Sequence, residues 1–360
     1  AAFVDGRLPY NLGHAAFEFI ESRWGKEGLR QFLFALRKNV IGGGESAYEE
    51  AFRLRAEEFD EQFDKYLKDR FKPFRDKERP ADYGRDLAPK RDKTPFVSVV
   101  SIEPSPSGDL LAVAAGNRKE QELDIIILST KDSQVIKNLT SGFNKDRGYE
   151  YIATPGGFRN NAVPWMSWSP ASDQIAYFAR TEKMKTLIMQ NAVTGKVDQR
   201  VEIKTIDMPE SPDISPDGKE VAFSGLEGAT GDIFIVNLES REVRNITKDN
   251  FGDFAPTWSP DGKSIVYLAR ASGNDKLFTI NLATGQKTQL TFGTHDEGGA
   301  QFIDDDTLVF PSTAIDPNQP VEPEVARNGN IYNIWTLNLK TKELRQYTDT
   351  LTGNTSPVVL

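Results

Sequence analysis

The chain has 360 residues, 44 Lys and Arg against 53 Asp and Glu, and no cysteine. A formal net charge of −9 argues against a nucleic-acid partner, because phosphate contact needs a basic surface. Disulfides are excluded, and no apolar run is long enough for a membrane span.

Residues 1–72 predict a small α-helical domain. Apolar residues recur at helical spacing as Tyr10, Phe17, Ile20 and Trp24, then Leu29, Phe32, Leu33, Leu36 and Val40, then Phe59, Phe63, Tyr66 and Leu67. Gly42-Gly43-Gly44 interrupts the pattern, and Ser46 with Glu49 has the form of a capping box. Four helices packed as hairpins are expected. The glycines lack a phosphate-binding lysine and a preceding strand, so no phosphate site is read there.

The run LPYNLGHAAFEFIESRWGKEGLRQFLFAL, followed by AEEFDEQFDKYL, is similar to the helical C-terminal part of gluzincin metallopeptidases, including the peptidase-MA-like group. The resemblance implies that Tyr10, in the family's PYxxG segment, would lean over a zinc site and donate to a developing oxyanion. As an ordinary helix residue it would pack in the core instead. His14 shares its face, either as packing or as lining of such a site. The family's zinc ligands, an HExxH helix and a downstream Glu, would lie upstream. This chain has two histidines, His14 and His295, neither in HExxH, so it is read as non-catalytic, with zinc confined to an upstream region.

Residues 73–94 interleave basic residues with acids and prolines and read as a solvated linker. Up to Thr94 the charges nearly cancel, so the excess acid belongs to residues 95–360. There the tetrapeptide Ser-Pro-Asp-Gly begins at Ser215 and Ser259, with degenerate copies at Ser105, Ser169 and near Ile303, in steps of 64, 46, 44 and 44. Pro presets the φ of a type I turn, and Gly takes the positive φ that follows in a short hairpin. Leu139-Thr140, Ile246-Thr247, Leu290-Thr291 and Tyr347-Thr348 keep step with the turns. Four short strands per unit of about 40–45 residues is the period of a propeller blade.

An aromatic before the turn, here Trp168 or Trp258, and a closing Leu-Thr pair resemble the TolB-type, WD-like β-propeller repeat. The fold expected is therefore mainly β: five full blades plus the start of a sixth at Gly353 to Leu360, in a fragment of a six-bladed parent. The resemblance implies a bacterial periplasmic or exported setting. Because no GxSxG elbow is present, a complete serine peptidase of the prolyl-oligopeptidase type is not read here.

The loops entering each first strand should face one another at the channel mouth. Asp253 and Glu297 hold matching places, with Glu210 one place off and His295 and Asp296 beside Glu297. Such a mouth would suit a basic or amide-rich peptide, or a hard cation such as Ca²⁺; a plain set of solvated acidic loops is the alternative. A long insertion after Thr140 carries Phe143, Tyr149, Tyr151, Phe158 and Arg159, a composition common at interface hot spots. It would either recognise a partner or cap one end of the propeller. A second insertion fills residues 312–330. The reading is a non-catalytic propeller module that binds a peptide or protein segment, requires no cofactor and has no assigned oligomeric state. The alternative is the substrate-docking part of a zinc metallopeptidase.

Overall fold

The turn serines organise the strands. Ser215 Oγ accepts the backbone N–H of Glu220 at 2.9 Å and donates to Asp217 Oδ1 at 2.7 Å. Ser259 repeats this with Ser264 and Asp261, at 3.0 and 2.7 Å. In the degenerate copies, Ser105 and Ser169 still accept from Leu110 and Gln174, at 3.1 and 3.0 Å. Gly218 and Gly262 take φ of 71° and 69°, the conformation that admits glycine without strain.

A computed structural model describes residues 8–38, 45–72, 87, 93–152, 164–315, 331–349, 353, 357 and 359. The chain divides into two units, Ala1–Lys77 and Glu78–Leu360.

The second unit is mainly β, and its sheets are antiparallel meanders. Blade one is β1 (Phe96–Pro104), β2 (Leu110–Asn117), β3 (Glu122–Ser129) and β4 (Val135–Asn138). Blade three is β10 (Asp207–Ile214), β11 (Glu220–Glu227), β12 (Thr230–Asn237) and β13 (Val243–Asn245). Blade four is β14 (Asp253–Trp258), β15 (Ser264–Ala271), β16 (Asn274–Asn281) and β17 (Lys287–Gln289). Blade five is β18 (Gln301–Asp304), β19 (Thr307–Ser312), β20 (Asn333–Asn338) and β21 (Leu344–Gln346).

Blade two departs from the pattern. Its first strand is split into β5 (Glu150–Tyr151) and β6 (Met166–Trp168), both paired with β7 (Gln174–Arg180), followed by β8 (Lys185–Asn191) and β9 (Val197–Glu202). The insertion therefore interrupts the innermost strand itself. That is why the first repeat step is long.

Apolar side chains from adjoining blades fill each seam. Ile125 and Ile127 of β3 meet Trp168, Ile175 and Tyr177, and the same arrangement recurs between the next three pairs of blades. The middle strands of blades three and four are buried on both faces because each of these sheets lies between two others. The Leu-Thr landmark has a definite task. Thr140, Thr247, Thr291 and Thr348 each accept, through the hydroxyl, the N–H of Ile125, Ile233, Leu277 and Ile334 at 2.7 to 2.9 Å. Each bond satisfies a donor near the start of a third strand that would otherwise be buried unpaired.

In the helical unit, α1 (Leu8–Lys38) is two helical stretches joined at Gly25, where φ is 67° and ψ −175°. It is followed by α2 (Glu45–Phe52) and α3 (Ala56–Arg70). Phe19, Ile20, Phe32, Phe52 and Phe59 form its core, with Trp24 stacked on Phe52 at 4.3 Å. Two expectations are corrected. Tyr10, Phe17 and Leu33 are exposed at 80, 42 and 49%, because the core side of the first stretch is centred on Phe19 and Ile20. Ser46 lies inside α2, and the N-terminal bond of capping-box type belongs to α3, where Glu58 Oε2 accepts Arg55 N–H at 3.0 Å.

Candidate functional site: an axial polar ring

First strands of successive blades adjoin, β1 beside β6, β6 beside β10 and β10 beside β14, so they line the propeller axis. Two residues before each turn serine the sequence places Glu103, Ser167, Asp213, Thr257 and Gln301, the last counted from Ile303. All five are polar, in strands whose neighbouring positions are largely apolar.

These residues stitch one blade to the next. Ser167 Oγ accepts Ile214 N–H at 3.0 Å, Asp213 Oδ2 accepts Trp258 N–H at 2.7 Å, and Gln301 Oε1 accepts Val359 N–H at 2.9 Å. In each case the donor follows, by one residue, the corresponding position of the next blade. The repeat tryptophans add a second stitch. Trp168 Nε1 donates to Glu103 O at 2.9 Å and Trp258 Nε1 to Asp213 O at 3.1 Å. The indole is therefore a seam pin with a polar handle, which explains its recurrence.

Glu103 and Asp213 give the ring its charge. Both are partly buried, as expected for groups facing a narrow channel. Burial pushes the Asp213 carboxyl up to about 6, against the lowering bonds from Trp258 N–H and Ser167 Oγ–H. Burial also raises Glu103 well above the usual carboxylate range, and the charge of Asp213 adds to the rise. Two carboxyls on blades one and three, with Ser167 of blade two between them, thus feel each other around the axis. The sequence reading did not include them, although their constant offset from the turn serine was the available signal.

The expected mouth residues lie elsewhere in the blades. Asp253 and Glu297 do hold matching places, but their side chains are 2% exposed and packed at blade seams. Glu297 Oε2 pairs with Lys276 Nζ at 2.9 Å and its Oε1 with His295 Nε2 at 3.1 Å. Asp296 Oδ1 accepts from Asn274 Nδ2 and Asp275 N–H, closing the loop onto blade four. Glu210 sits in β10, opposite Ser224. They do not converge as an open carboxylate rim.

The insertion aromatics are likewise packed. Phe143 and Tyr151 are buried, Tyr151 Oη donates to Thr140 Oγ1 at 2.9 Å, and Tyr149 stacks on Phe143 at 5.1 Å. Phe158 and Arg159 lie outside the described residues. Beside this segment a cleft of about 600 Å³ is lined by Asn144, Gly148, Glu150, Arg180, Glu182 and Lys185, among others. Tyr10 and His14 are exposed on α1, and His14 Nδ1 lies 3.8 Å from Glu18 Oε1. Among the described residues neither histidine belongs to a cluster able to hold a metal.

Residues 159–322 match the family model for the TolB beta propeller domain, PD40. The strand-rich unit is a TolB-like β-propeller. A putative TolB from Agrobacterium tumefaciens superposes with a TM-score of 0.52 at 16% identity, covering 70% of this chain and 81% of that one. TolB from Acinetobacter baumannii gives 0.48 at 19%, covering 70% and 53%, so this chain spans about half that protein's length. An oligogalacturonate lyase from Vibrio parahaemolyticus gives 0.42 at 13%, covering 68% and 64%. At these identities the likeness concerns the fold. A search of curated proteins finds no match. No helix among the described residues is long and apolar enough to cross a membrane.

Proposed function

We propose that the TolB-like propeller is a non-catalytic recognition module of an exported bacterial protein, which takes a basic or amide-bearing peptide segment at its axial ring. The observation that carries this reading is the Glu103–Asp213 pair, two carboxyls held on the first strands of blades one and three, on either side of Ser167 in blade two, and each raised by its surroundings. Enclosed carboxyls lack full hydration, so an ammonium, guanidinium or amide group that reaches them recovers strong hydrogen bonds. The cleft beside Glu150 and Arg180 offers mixed charge along the same blade as the insertion and supports a second contact with the partner. Val100, Ile102, Ile303 and Leu344 are exposed at 45 to 52% on the two terminal blades. This supports closure by a sixth blade, with Val359 against Gln301 as its first stitch.

The test is peptide display on the full chain. Selected peptides should be rich in Lys, Arg, Asn or Gln, and the Glu103→Gln/Asp213→Asn variant should bind them at least tenfold more weakly with an unchanged circular dichroism spectrum. Equal binding by that variant would place recognition elsewhere.

A second reading, the docking part of a zinc metallopeptidase, is favoured by one observation: Tyr10 is 80% exposed on α1 rather than packed. The clusters among the described residues that could hold a metal are carboxylates alone, with no histidine, so the zinc of this reading would be held by other residues. Stoichiometric zinc in the full-length protein, with hydrolysis lowered by Tyr10→Phe, is the expected result of this reading.

A further inference from the structure

The Asp253 carboxylate is 2% exposed, and neither of its oxygens has a hydrogen-bond partner. An orphaned buried carboxylate is costly unless a proton or a cation accompanies it. Asp232, at the start of β12 and 4% exposed, and Asp249 bring oxygens to it, all three within 4.8 Å of one another. Neighbouring groups orient the cluster. Asn245 Nδ2 and Thr247 Oγ1 donate to Asp232 at 2.9 and 3.2 Å, and Phe251 N–H donates to Asp249 at 2.8 Å. Lys287 Nζ bonds Asp249 and the Thr247 carbonyl. One ammonium thus faces three carboxyl groups in this seam.

The next seam shows what is missing. One repeat of 44 residues further on, Asp232 becomes Lys276 and Asp253 becomes Glu297. There the Lys276 ammonium meets Glu297 Oε2 at 2.9 Å, with both side chains 1% exposed. The seam between blades four and five thus carries its cation as a side chain. The seam between blades three and four has two carboxylates at the same two places.

We propose that Asp232, Asp249 and Asp253 bind a divalent cation, calcium, which pins blade three to blade four. Three carboxylates with no nitrogen or sulfur donor suit a hard ion, and calcium tolerates the irregular geometry that magnesium resists. Blade one has a related cluster of Glu120, Glu122 and Asp124. There Glu122 already accepts the N–H groups of Gly142 and Asn144, and Glu120 accepts from Ser141. Asp124 Oδ1 is unpartnered there as well, but its Oδ2 accepts from Asn117 and Asn138 at 2.7 and 2.8 Å, whereas both oxygens of Asp253 lack a partner.

The test is thermal unfolding of the full chain after chelator dialysis, with and without added calcium, together with elemental analysis. At about 100-fold excess over the dissociation constant, calcium should raise the Tm by about 5 °C, and magnesium should do less. Asp253→Asn should abolish the rise. Asp232→Lys, which copies the Lys276–Glu297 arrangement, should raise the calcium-free Tm and also abolish the response. Asp213→Asn should leave the calcium response intact. The proposal is overturned if calcium neither binds nor shifts Tm, if both seam variants keep the response, or if Asp213→Asn removes it, which would put the ion on the axis.

Discussion

At the residue scale, the repeated landmarks are hydrogen-bonding devices rather than functional groups. The turn serine closes a hairpin, and the threonine satisfies a third-strand N–H. Thr291→Val keeps shape and volume but leaves the Leu277 N–H unpaired in a buried seam, which should destabilise the propeller by about 1–3 kcal/mol. Urea denaturation monitored by tryptophan fluorescence checks this; a loss near zero would mean that water replaces the hydroxyl. The turn motif was legible because its chemistry is local. The same locality hid the role of Asp253 and Glu297, whose matched positions were visible but whose burial is decided by the preceding blade's third strand. Tyr149 and Tyr151 were ambiguous for a related reason, since aromatic composition is shared by interface hot spots and packed seams.

At the element scale, the unit of stability is the seam between two blades. Trp258 fills the seam, takes a carboxylate oxygen of Asp213 through its backbone N–H, and gives its indole N–H to the Asp213 carbonyl. Trp258→Phe retains most of the apolar contact and loses the indole bond, so a loss of about 1–2 kcal/mol is expected. Trp168→Phe should behave alike through Glu103, and a cost confined to one of the two would contradict a common seam device. Strand order and blade boundaries were readable from turns spaced 44 to 46 residues apart. The split first strand of blade two was not, because β5 has two residues and β6 three, too short for a pattern of alternation. In the helical unit, spacing identified the helices but not their inward face: before the break at Gly25, Phe17 and Phe19 are both aromatic, and Phe19, next to Ile20, became the core residue while Phe17 stayed exposed.

At the scale of the whole molecule, first strands gather one polar position from each blade around the axis, and two of those positions are carboxyls. No pair of these residues is close in sequence, so their convergence follows only from stacking the repeats in a ring. The account's central claim is that the Glu103–Asp213 pair receives a cationic or amide group of a partner. A bound cation favours the ionised form of Asp213, whose carboxyl titrates at about 6. Affinity for a lysine-bearing peptide should therefore rise with pH through that value, by up to about tenfold between pH 5 and pH 7 from Asp213 alone. The decisive measurement is the pH profile of the dissociation constant for a display-selected peptide, determined for the wild type and for Asp213→Asn. The account predicts a rise centred near pH 6 in the wild type that is lost in the variant; a flat wild-type profile, or an identical rise in both, would contradict it.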